Sequence, residues 1–360
     1  MSKAAELAAL IGSQTALSNR NMIINGAMQV AQRGTSFTTT GSYPVDRFSV
    51  GYGVTGGTFT VSQDTTSPTD FSNSIKYLVG TAASAGSSEQ AFVGTTFEGY
   101  STSHLNFGTS DAKAITLSFW VRSSVTGTYC VAFINNAFDR SYIAEYSISS
   151  ADTWEYKTIT VSGDTSGTWV GAVNTRSMLV RFDLGSGSSF NTTAGAWQSG
   201  SYRNTSSQAN LVNNASATFY ITGVQLEVGE TATPFEHESF GATLAKCQRY
   251  FSKSYDYSDA PGTVTQTGAM YERNETGTTV SNRAVQISFP VEMRTNPTAT
   301  VYSLNGTSGS VSDCTTSYSH NADDTLCSFN GTDGTRGISK LTGVSVDDMI
   351  GFHFTAEAEL

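Results

Sequence analysis

The sequence predicts an all-β protein, in which an antiparallel β-sandwich is joined by one short helix to a smaller C-terminal β domain. Apolar and polar residues alternate in short runs, most clearly from Ile115 to Arg122, as in strands with one buried face. Dipeptides such as Asn305-Gly306 are typical of hairpin turns. Only 14% of the 360 residues are charged, whereas 20 are Phe and 16 are Tyr. This composition suits strands and argues against disorder.

Residues 1–20 are expected to form a short helix and a polar linker. Ala4, Leu7, Ala8 and Ile11 share one face of a helix from Ser2 to Ile11, and Ser2 can cap it. So short a helix is marginal in water and needs a surface to lie on. Two alternatives stay open. The helix docks onto another protein through Leu7, Leu10 and Ile11, or it packs on its own or a sister chain.

Residues 21–238 are expected to form the sandwich, because eight or more short strands are separated by polar turns over about 200 residues. The predicted strands lie at Phe48 to Val61, Ile75 to Val79, Glu89 to Phe97, Ile115 to Arg122, Tyr129 to Ile134, Trp154 to Val161, Met178 to Phe182 and Phe219 to Val228. Trp197 and Tyr202 lie in or beside a long Gly/Ser/Thr-rich loop. Exposed aromatic rings of this kind can stack on sugars, so both are candidate glycan contacts. The alternative is that they cover the edge of the core.

Residues 239–252 are expected to form the connecting helix, since Phe240, Leu244, Cys247 and Phe251 fall at helical spacing. Its apolar stripe could form an oligomer interface. Residues 253–360 are expected to form the second β domain, with a strand predicted through Val285, Ile287, Phe289 and Val291. Polar loops there carry Tyr255, Tyr257 and Tyr318, which are further candidate receptor contacts. The alternative is that these loops only solvate the tip or contact a sister chain.

Several classes of function are not expected. A net charge of −10 disfavours binding to nucleic acid. The cysteines Cys130, Cys247, Cys314 and Cys327 form no CxxC pair, so we expect buried reduced thiols and no metal site. The sequence has no nucleophile elbow, phosphate-binding glycine loop or HExxH motif, and no pair of carboxylates stands out. We therefore expect no catalysis and no cofactor. No apolar run is long enough to insert into a membrane, and no secretion signal is present.

Three segments resemble one family. VQLEVGETATPFEHESFGATLAKCQRYF, residues 224–251, resembles a segment common in tail-fibre and related structural proteins of bacteriophages, especially marine and cyanobacterial phages. NRNMIINGAMQVAQRG, followed by YPVDRF, resembles the opening of that family. ISFPVEMRTNPT and the ending GFHFTAEAEL match a third part of it. Together the three segments span nearly the whole chain. They are specific as a family signature, and they say little about function because family members occupy different places on the virion.

The resemblance implies a structural protein that is assembled into a virion in the host cytoplasm, as a tail fibre or adhesin that meets a host-surface glycan. It also implies a homotrimer, with the Phe240–Phe251 helix near the axis, and a virion partner bound through the N-terminus. The block ITLSFWVRSSVTGTY resembles the jelly rolls of carbohydrate-binding modules, which implies a jelly-roll-like sandwich without establishing sugar binding. The alternatives are a head fibre, a capsid decoration protein or an adaptor, and then a glycan depolymerase. Recognition is expected in the loops of the C-terminal domain.

Overall fold

The computed structural model describes residues 19–273, 284–285, 287–314, 323–325, 328–329, 338–339 and 349–360. In this part of the chain antiparallel strands predominate, which confirms the predicted fold class. The helix predicted from Ser2 to Ile11, with Leu7, Leu10 and Ile11, lies outside the described residues. The described chain divides into two compact units, one formed by residues 19–31 and 35–239, the other by residues 240–359 together with 32–34.

The first unit consists of two six-stranded antiparallel sheets. Its strands are β1 Ser36–Phe37, β2 Phe48–Tyr52, β3 Phe59–Asp64, β4 Ser74–Val79, β5 Ala91–Glu98, β6 Ile115–Ser123, β7 Gly127–Asn135, β8 Arg140–Ile148, β9 Glu155–Val161, β10 Arg176–Asp183, β11 Trp197–Ser199 and β12 Thr218–Val228. The first sheet has the order β1-β3-β4-β12-β6-β9, and the second has the order β11-β8-β7-β10-β5-β2. Helix α1, Gly99–Thr102, continues into the 3-10 turn Ser103–Leu105, and two further 3-10 turns span Ser188–Phe190 and Leu211–Asn213.

The core of this unit lies between the two sheets. Phe119 of β6 is fully buried and meets Phe182 of β10 edge-to-face, with 5.0 Å between ring centroids. It meets Tyr146 of β8 in the same way at 5.1 Å. Burial of apolar area stabilises a fold by about 25 cal/mol per Å². The alternation in ITLSFWV therefore fixes which face of β6 turns inward, because that face carries only apolar groups whereas the other carries Thr116 and Ser118 beside Trp120.

The N-terminal Asn-Gly turn packs against an irregularity in β12. The register of β12 against β6 shifts between Thr222 and Gln225, and Gly223 has a φ of +60° there. The displaced Val224 donates its N–H to the carbonyl of Gly26 at 2.9 Å. A Cβ at Gly26 would lie 2.1 Å from the Val224 carbonyl oxygen. Both glycines are thus required by local geometry, one by its positive φ and one by close approach of two backbones.

The second unit is organised around its last strand. Its elements are helix α2 Phe240–Gln248 and strands β13 Phe251–Lys253, β14 Met270–Arg273, β15 Ala284–Val285, β16 Thr298–Tyr302, β17 Ser310–Asp313, β18 Asp323–Thr325, β19 Ser328–Phe329, β20 Ile338–Ser339 and β21 Met349–Glu357. β13, β14, β16 and β17 all pair with β21. β15, β20 and β19 form a separate three-stranded sheet in that order.

Two predicted elements of the second unit are wrong in detail. The helix ends at Gln248, and Phe251 instead begins β13, where it pairs with Glu357. The helical spacing of Phe251 is therefore coincidental, since strand pairing determines its conformation. Val285 of the predicted strand lies in β15, whereas residues 287–291 form no strand. Ile287 is nonetheless buried and Phe289 packs on Phe354 at 6.0 Å, so both reach the core from irregular backbone.

Among the described residues, none of the helices has both the length and the apolar character that crossing a bilayer demands. Cys130, Cys247 and Cys314 are buried, as expected. Cys327 lies outside the described residues.

Candidate functional site

The polar residues of the first two signature segments are hydrogen-bonded to one another within the first unit. The Glu236 carboxylate accepts the N–H of Asn19 at 2.7 Å and that of Asn21 at 3.0 Å. The Asn21 side-chain oxygen accepts the N–H of Leu226 at 3.1 Å. Partial burial opposes ionisation of Glu236, yet these donors lower its pKa overall. These hydrogen bonds therefore hold residues 19–21, where the described chain enters the first unit, against β12.

The polar side chains of the QLE...ATPFE motif, residues 225–236, form hydrogen bonds with other residues of the same motif. The buried Glu227 carboxylate accepts the backbone N–H and the hydroxyl of Thr233, each at 2.8 Å, and a proton of the Gln225 amide at 3.1 Å. The Gln225 oxygen in turn accepts the N–H of Glu236 at 2.8 Å. The side chains of Gln225, Glu227 and Thr233 are thus bonded within the fold itself.

The remaining signature residues meet inside the second unit. The Gln32 amide donates to the carbonyl of Phe251 at 3.0 Å, and the Arg33 guanidinium lies 3.9 Å from the Phe251 ring centroid. Arg33 also pairs with Glu359 at 3.1 Å. Arg294, from the third segment, donates to the carbonyls of Ala358 at 2.7 Å and Glu359 at 2.8 Å. The family signature therefore describes a hydrogen-bonded framework.

Trp197 and Tyr202 lie on opposite faces of the second sheet. Trp197 belongs to β11 and not to a loop, and its indole N–H donates to the carbonyl of Ser162 at 2.7 Å. Its ring packs edge-to-face on Tyr142 at 5.5 Å, on the core side. Tyr202 is half-buried over an apolar cluster on the outer face, which includes Ile134 and Leu179. The two candidates are therefore not parts of one site.

Of the three C-terminal tyrosines, Tyr257 keeps an exposed ring, with 38% of its surface accessible. Tyr255 is only 4% exposed, because it stacks on His353 at 3.9 Å and its hydroxyl accepts the N–H of Gly262. Burial raises the pKa of Tyr255 to about 12. Tyr255 is thus a buried residue of the second unit and is not accessible as a surface contact. Tyr318 lies outside the described residues.

The apolar residues predicted to form an oligomer interface are partly buried and partly exposed in the structure. Cys247 and Phe251 are buried in the second unit, and Leu244 is half-buried. Phe240 is 43% exposed and meets Tyr257 edge-to-face at 5.1 Å. The exposed part of the stripe is therefore an aromatic pair at the beginning of α2, formed by one predicted interface residue and one predicted receptor residue.

A cavity of about 190 Å³ opens beside α1 and the 3-10 turn that follows it. Its apolar wall includes Phe107 and Trp169, and its polar groups include Asn106, Thr109 and Ser177. Phe107 and Trp169 meet edge-to-face at 4.8 Å. Small-molecule sites are typically mostly apolar with a few placed polar groups, and cavities for drug-sized ligands run from about 300 Å³ upward. This cavity suits a smaller group, on the scale of one sugar ring.

A buried ion pair holds Trp169 at the cavity. Asp164, 2% exposed, accepts two hydrogen bonds from Arg140, at 2.8 Å and 2.6 Å, and these bonds to the carboxylate raise the pKa of Arg140. The indole N–H of Trp169 points to the same carboxylate at 3.3 Å. Gly167, with a φ of +79°, lies against the Arg140 stem, where a Cβ would be 2.6 Å from Cγ. The ion pair between Arg140 and Asp164 therefore holds the loop that carries Trp169 in place, and the close approach of Gly167 to Arg140 leaves room for no larger residue there.

The sequence could not single out this cavity. Trp169 is visible as an aromatic residue in a Gly/Ser/Thr-rich loop, but Phe107 and Ser177 approach it only through the fold. Among the described residues that line the cavity, none carries a carboxylate or an imidazole. In the same part of the chain, no group of three or more His, Cys, Asp or Glu side chains is placed to hold a metal ion. The arrangement can bind, and it offers no general acid or base.

No protein-family model and no curated protein matches the chain. Among solved structures, it is similar to a proposed sugar-binding protein from Bacteroides thetaiotaomicron, with 14% identity over 58% of this chain and 100% of that one and a TM-score of 0.35. It is also similar to a family 11 carbohydrate-binding module of a cellulosomal cellulase from Clostridium thermocellum, with 13% identity over 55% and 98% and a TM-score of 0.28. TM-scores this low describe a distant likeness, and the fold stands on the strand pairings given above.

Proposed function

We propose that this protein is a non-catalytic structural protein of a bacteriophage virion, a tail fibre or adhesin that contacts a glycan on the host surface. The sequence resemblance supports the virion assignment. The hydrogen-bonded framework supports a structural role, because the signature residues serve the fold and leave no reactive group available. The aromatic and hydroxyl-bearing cavity beside α1 carries the glycan contact.

Glycan contact follows from the chemistry of the cavity. Sugar rings have apolar faces and polar rims, so an aromatic wall beside hydroxyl and amide groups matches them. Phe107 and Trp169 supply the wall, and Asn106, Thr109 and Ser177 supply hydrogen-bonding groups. Glycoside hydrolysis requires two carboxyl groups flanking the bond. The lining offers none, so we propose binding without cleavage.

The binding test uses two tryptophans of one aromatic cluster. Trp169 and Trp197 meet at 5.4 Å, but only Trp169 lines the cavity. Trp169→Leu is expected to weaken binding to host cell-wall glycan about tenfold, the loss of roughly 1.4 kcal/mol of stacking. Trp197→Leu is the matched control and should bind like the wild type. Equal binding by all three proteins, with folding checked by circular dichroism, would remove the cavity from the site. Release of reducing ends would instead establish a depolymerase.

We also propose a homotrimer in which the exposed pair of Phe240 and Tyr257 is covered by a sister chain. Ring pairs contribute about 0.5–1.5 kcal/mol beyond the area they bury, so covering this pair would favour association. The N-terminal residues, with Leu7, Leu10 and Ile11, are proposed to attach the protein to another virion component. A cryo-EM map of the particle tests the location. Density on the tail supports the adhesin, whereas density on the head would make this a head fibre, decoration protein or adaptor.

A further inference from the structure

Arg181 lies across the outer face of the second sheet. It pairs in register with Gly94 of β5 on one side and with Ala132 of β7 on the other. A Cβ at Gly94 would be 3.1 Å from Cγ of Arg181, so the arginine stem occupies the space that a side chain would fill. Small residues on both neighbouring strands thus create a shallow groove, and the arginine lies in it.

Aromatic rings flank the guanidinium of Arg181. Its central carbon lies 4.1 Å from the ring centroid of Phe92 and 5.6 Å from that of Phe138. Arg176 approaches the same Phe138 ring at 4.8 Å and donates to the side-chain oxygen of Asn136 at 2.8 Å. Phe138 turns over the sheet from the β7–β8 hairpin, where its φ is +57°. Stacking uses the flat faces of a guanidinium and leaves its N–H edges available for hydrogen bonds.

A third arginine completes what we call the arginine cluster, Arg176, Arg181 and Arg203. Arg203 lies 3.8 Å from the Phe190 ring centroid and is only 7% exposed, yet its Nε and Nη1 atoms make no hydrogen bond to any described residue. Burial, together with the charges of Arg203 and Arg176, lowers the pKa of Arg181 to about 9. Guanidinium groups are cations, so the cluster is a positive site in a chain whose net charge is −10.

No carboxylate compensates these charges directly. In the part of the chain that the structure describes, none of the three arginines forms an ion pair. Asp183 offsets part of the charge of Arg203 electrostatically, but it accepts no hydrogen bond from any of the three guanidinium groups among the described residues, since one of its oxygens accepts the N–H groups of Gly185 and Ser186 and the other has no hydrogen-bond partner. Like charges held together are unfavourable unless an anion joins them. Guanidinium groups with free edges are suited to carboxylate, sulfate or phosphate.

We propose that the arginine cluster binds the anionic group of an acidic glycan, as a carboxylate, sulfate or phosphate, with Arg181 as the central contact. The half-buried Phe138 would lie beside the sugar ring that carries the anion, whereas the buried Phe92 supports the guanidinium from the other side. The glycan part rests on the proposed function, whereas the anion site stands on the geometry of the cluster. Because the rest of the chain is acidic, an acidic polymer would be attracted here and repelled elsewhere, which makes this face selective.

The test compares an oligogalacturonide with its methyl ester, which is the same sugar without charge, by calorimetry at low salt. The full chain is expected to bind the acid at least about tenfold more tightly than the ester, since charge-assisted hydrogen bonds are the strong ones. Arg181→Gln should lose that difference, and Arg181→Lys should keep part of it. Arg122→Gln is the matched control, because Arg122 also lies over a ring, Tyr220 at 5.0 Å, but is paired with Asp152 at 3.2 Å.

The outcomes separate the two proposals. Equal affinity for acid and ester, or an unchanged affinity in a folded Arg181→Gln variant, overturns the anion site, while binding of the ester that depends on Trp169 would still support the proposed function. If inorganic sulfate shifts the side-chain NMR signals of Arg181 and Arg203 but no oligosaccharide binds, the anion site is supported and the glycan ligand is refuted. Absence of binding by both sulfate and oligogalacturonide overturns the inference.

Discussion

Asp183 is a fully buried carboxylate whose ionisation opposes folding. One oxygen accepts the N–H groups of Gly185 and Ser186, each at 2.9 Å, while the other has no hydrogen-bond partner among the described residues. Burial raises its pKa from 3.8 to about 6, although the backbone donors and Arg203 act in the opposite direction. Ionisation of Asp183 therefore costs more free energy in the folded state than in the unfolded state, so the charged carboxylate lowers the stability of the fold.

The size and sign of the effect follow from linkage. Below about pH 4 the carboxyl is protonated in the folded and unfolded states, so its contribution is zero. Above about pH 6 it is ionised in both, and the folded state carries the full cost. The difference between 3.8 and about 6 corresponds to about 3 kcal/mol. This group alone is thus expected to lower the free energy of unfolding by that amount as the pH rises from 4 to 7.

Two groups on which Asp183 acts electrostatically, Cys130 and Tyr146, do not titrate in this window. Burial raises the pKa of the Cys130 thiol to about 12 and that of Tyr146 well above its usual value, so both stay neutral. Arg203 stays charged, although burial lowers its pKa. A substitution of Asp183 that cannot ionise should therefore abolish the part of the change between pH 4 and 7 that Asp183 contributes.

Urea unfolding of the full chain at pH 4.5, 6 and 8 provides the measurement. Asp183→Asn keeps an oxygen for the two backbone donors and is expected to be more stable than the wild type by only about 1 kcal/mol at pH 4.5. At pH 8 it should be more stable by up to about 3 kcal/mol. Asp111→Asn, at an exposed position, is the control for loss of one charge. A stability difference that does not change with pH, or a wild type that is the more stable protein at pH 8, would refute the reasoning.

Three further predictions concern the framework and the assembly. Gly26→Ala places a Cβ 2.1 Å from the Val224 carbonyl and should destabilise the sandwich by about 1–3 kcal/mol in thermal unfolding, whereas Gly53→Ala, with open space around it, should not. Leu244→Asp should shift light scattering from trimer to monomer, and a monomeric wild type would rule out the proposed trimer. Deletion of residues 2–12 should leave a folded protein that no longer enters particles. Normal incorporation would exclude the anchor.

The sequence was sufficient for the features that depend on local pattern. Alternation in ITLSFWV predicted β6 and its buried face, and the same pattern predicted β12. The stripe at Phe240, Leu244 and Cys247 predicted α2. It failed at Phe251, since three apolar residues at helical spacing do not reveal that the fourth pairs with β21. The periodicity of apolar residues along the chain indicates which face of an element is buried, but it does not indicate which other element packs against that face.

The sequence by itself determined the all-β class, the single connecting helix, and the signature that resembles phage structural proteins. Tertiary structure alone decided what those signature residues do and which aromatic rings stay accessible. Tyr255 and Tyr257 have almost the same sequence context, yet one is buried against His353 and the other is exposed. Arg181 became a candidate site only when β5 and β7 placed Gly94 and Ala132 beside it. Strand pairing joins residues that are far apart in the chain, and burial and electrostatics depend on those distant neighbours.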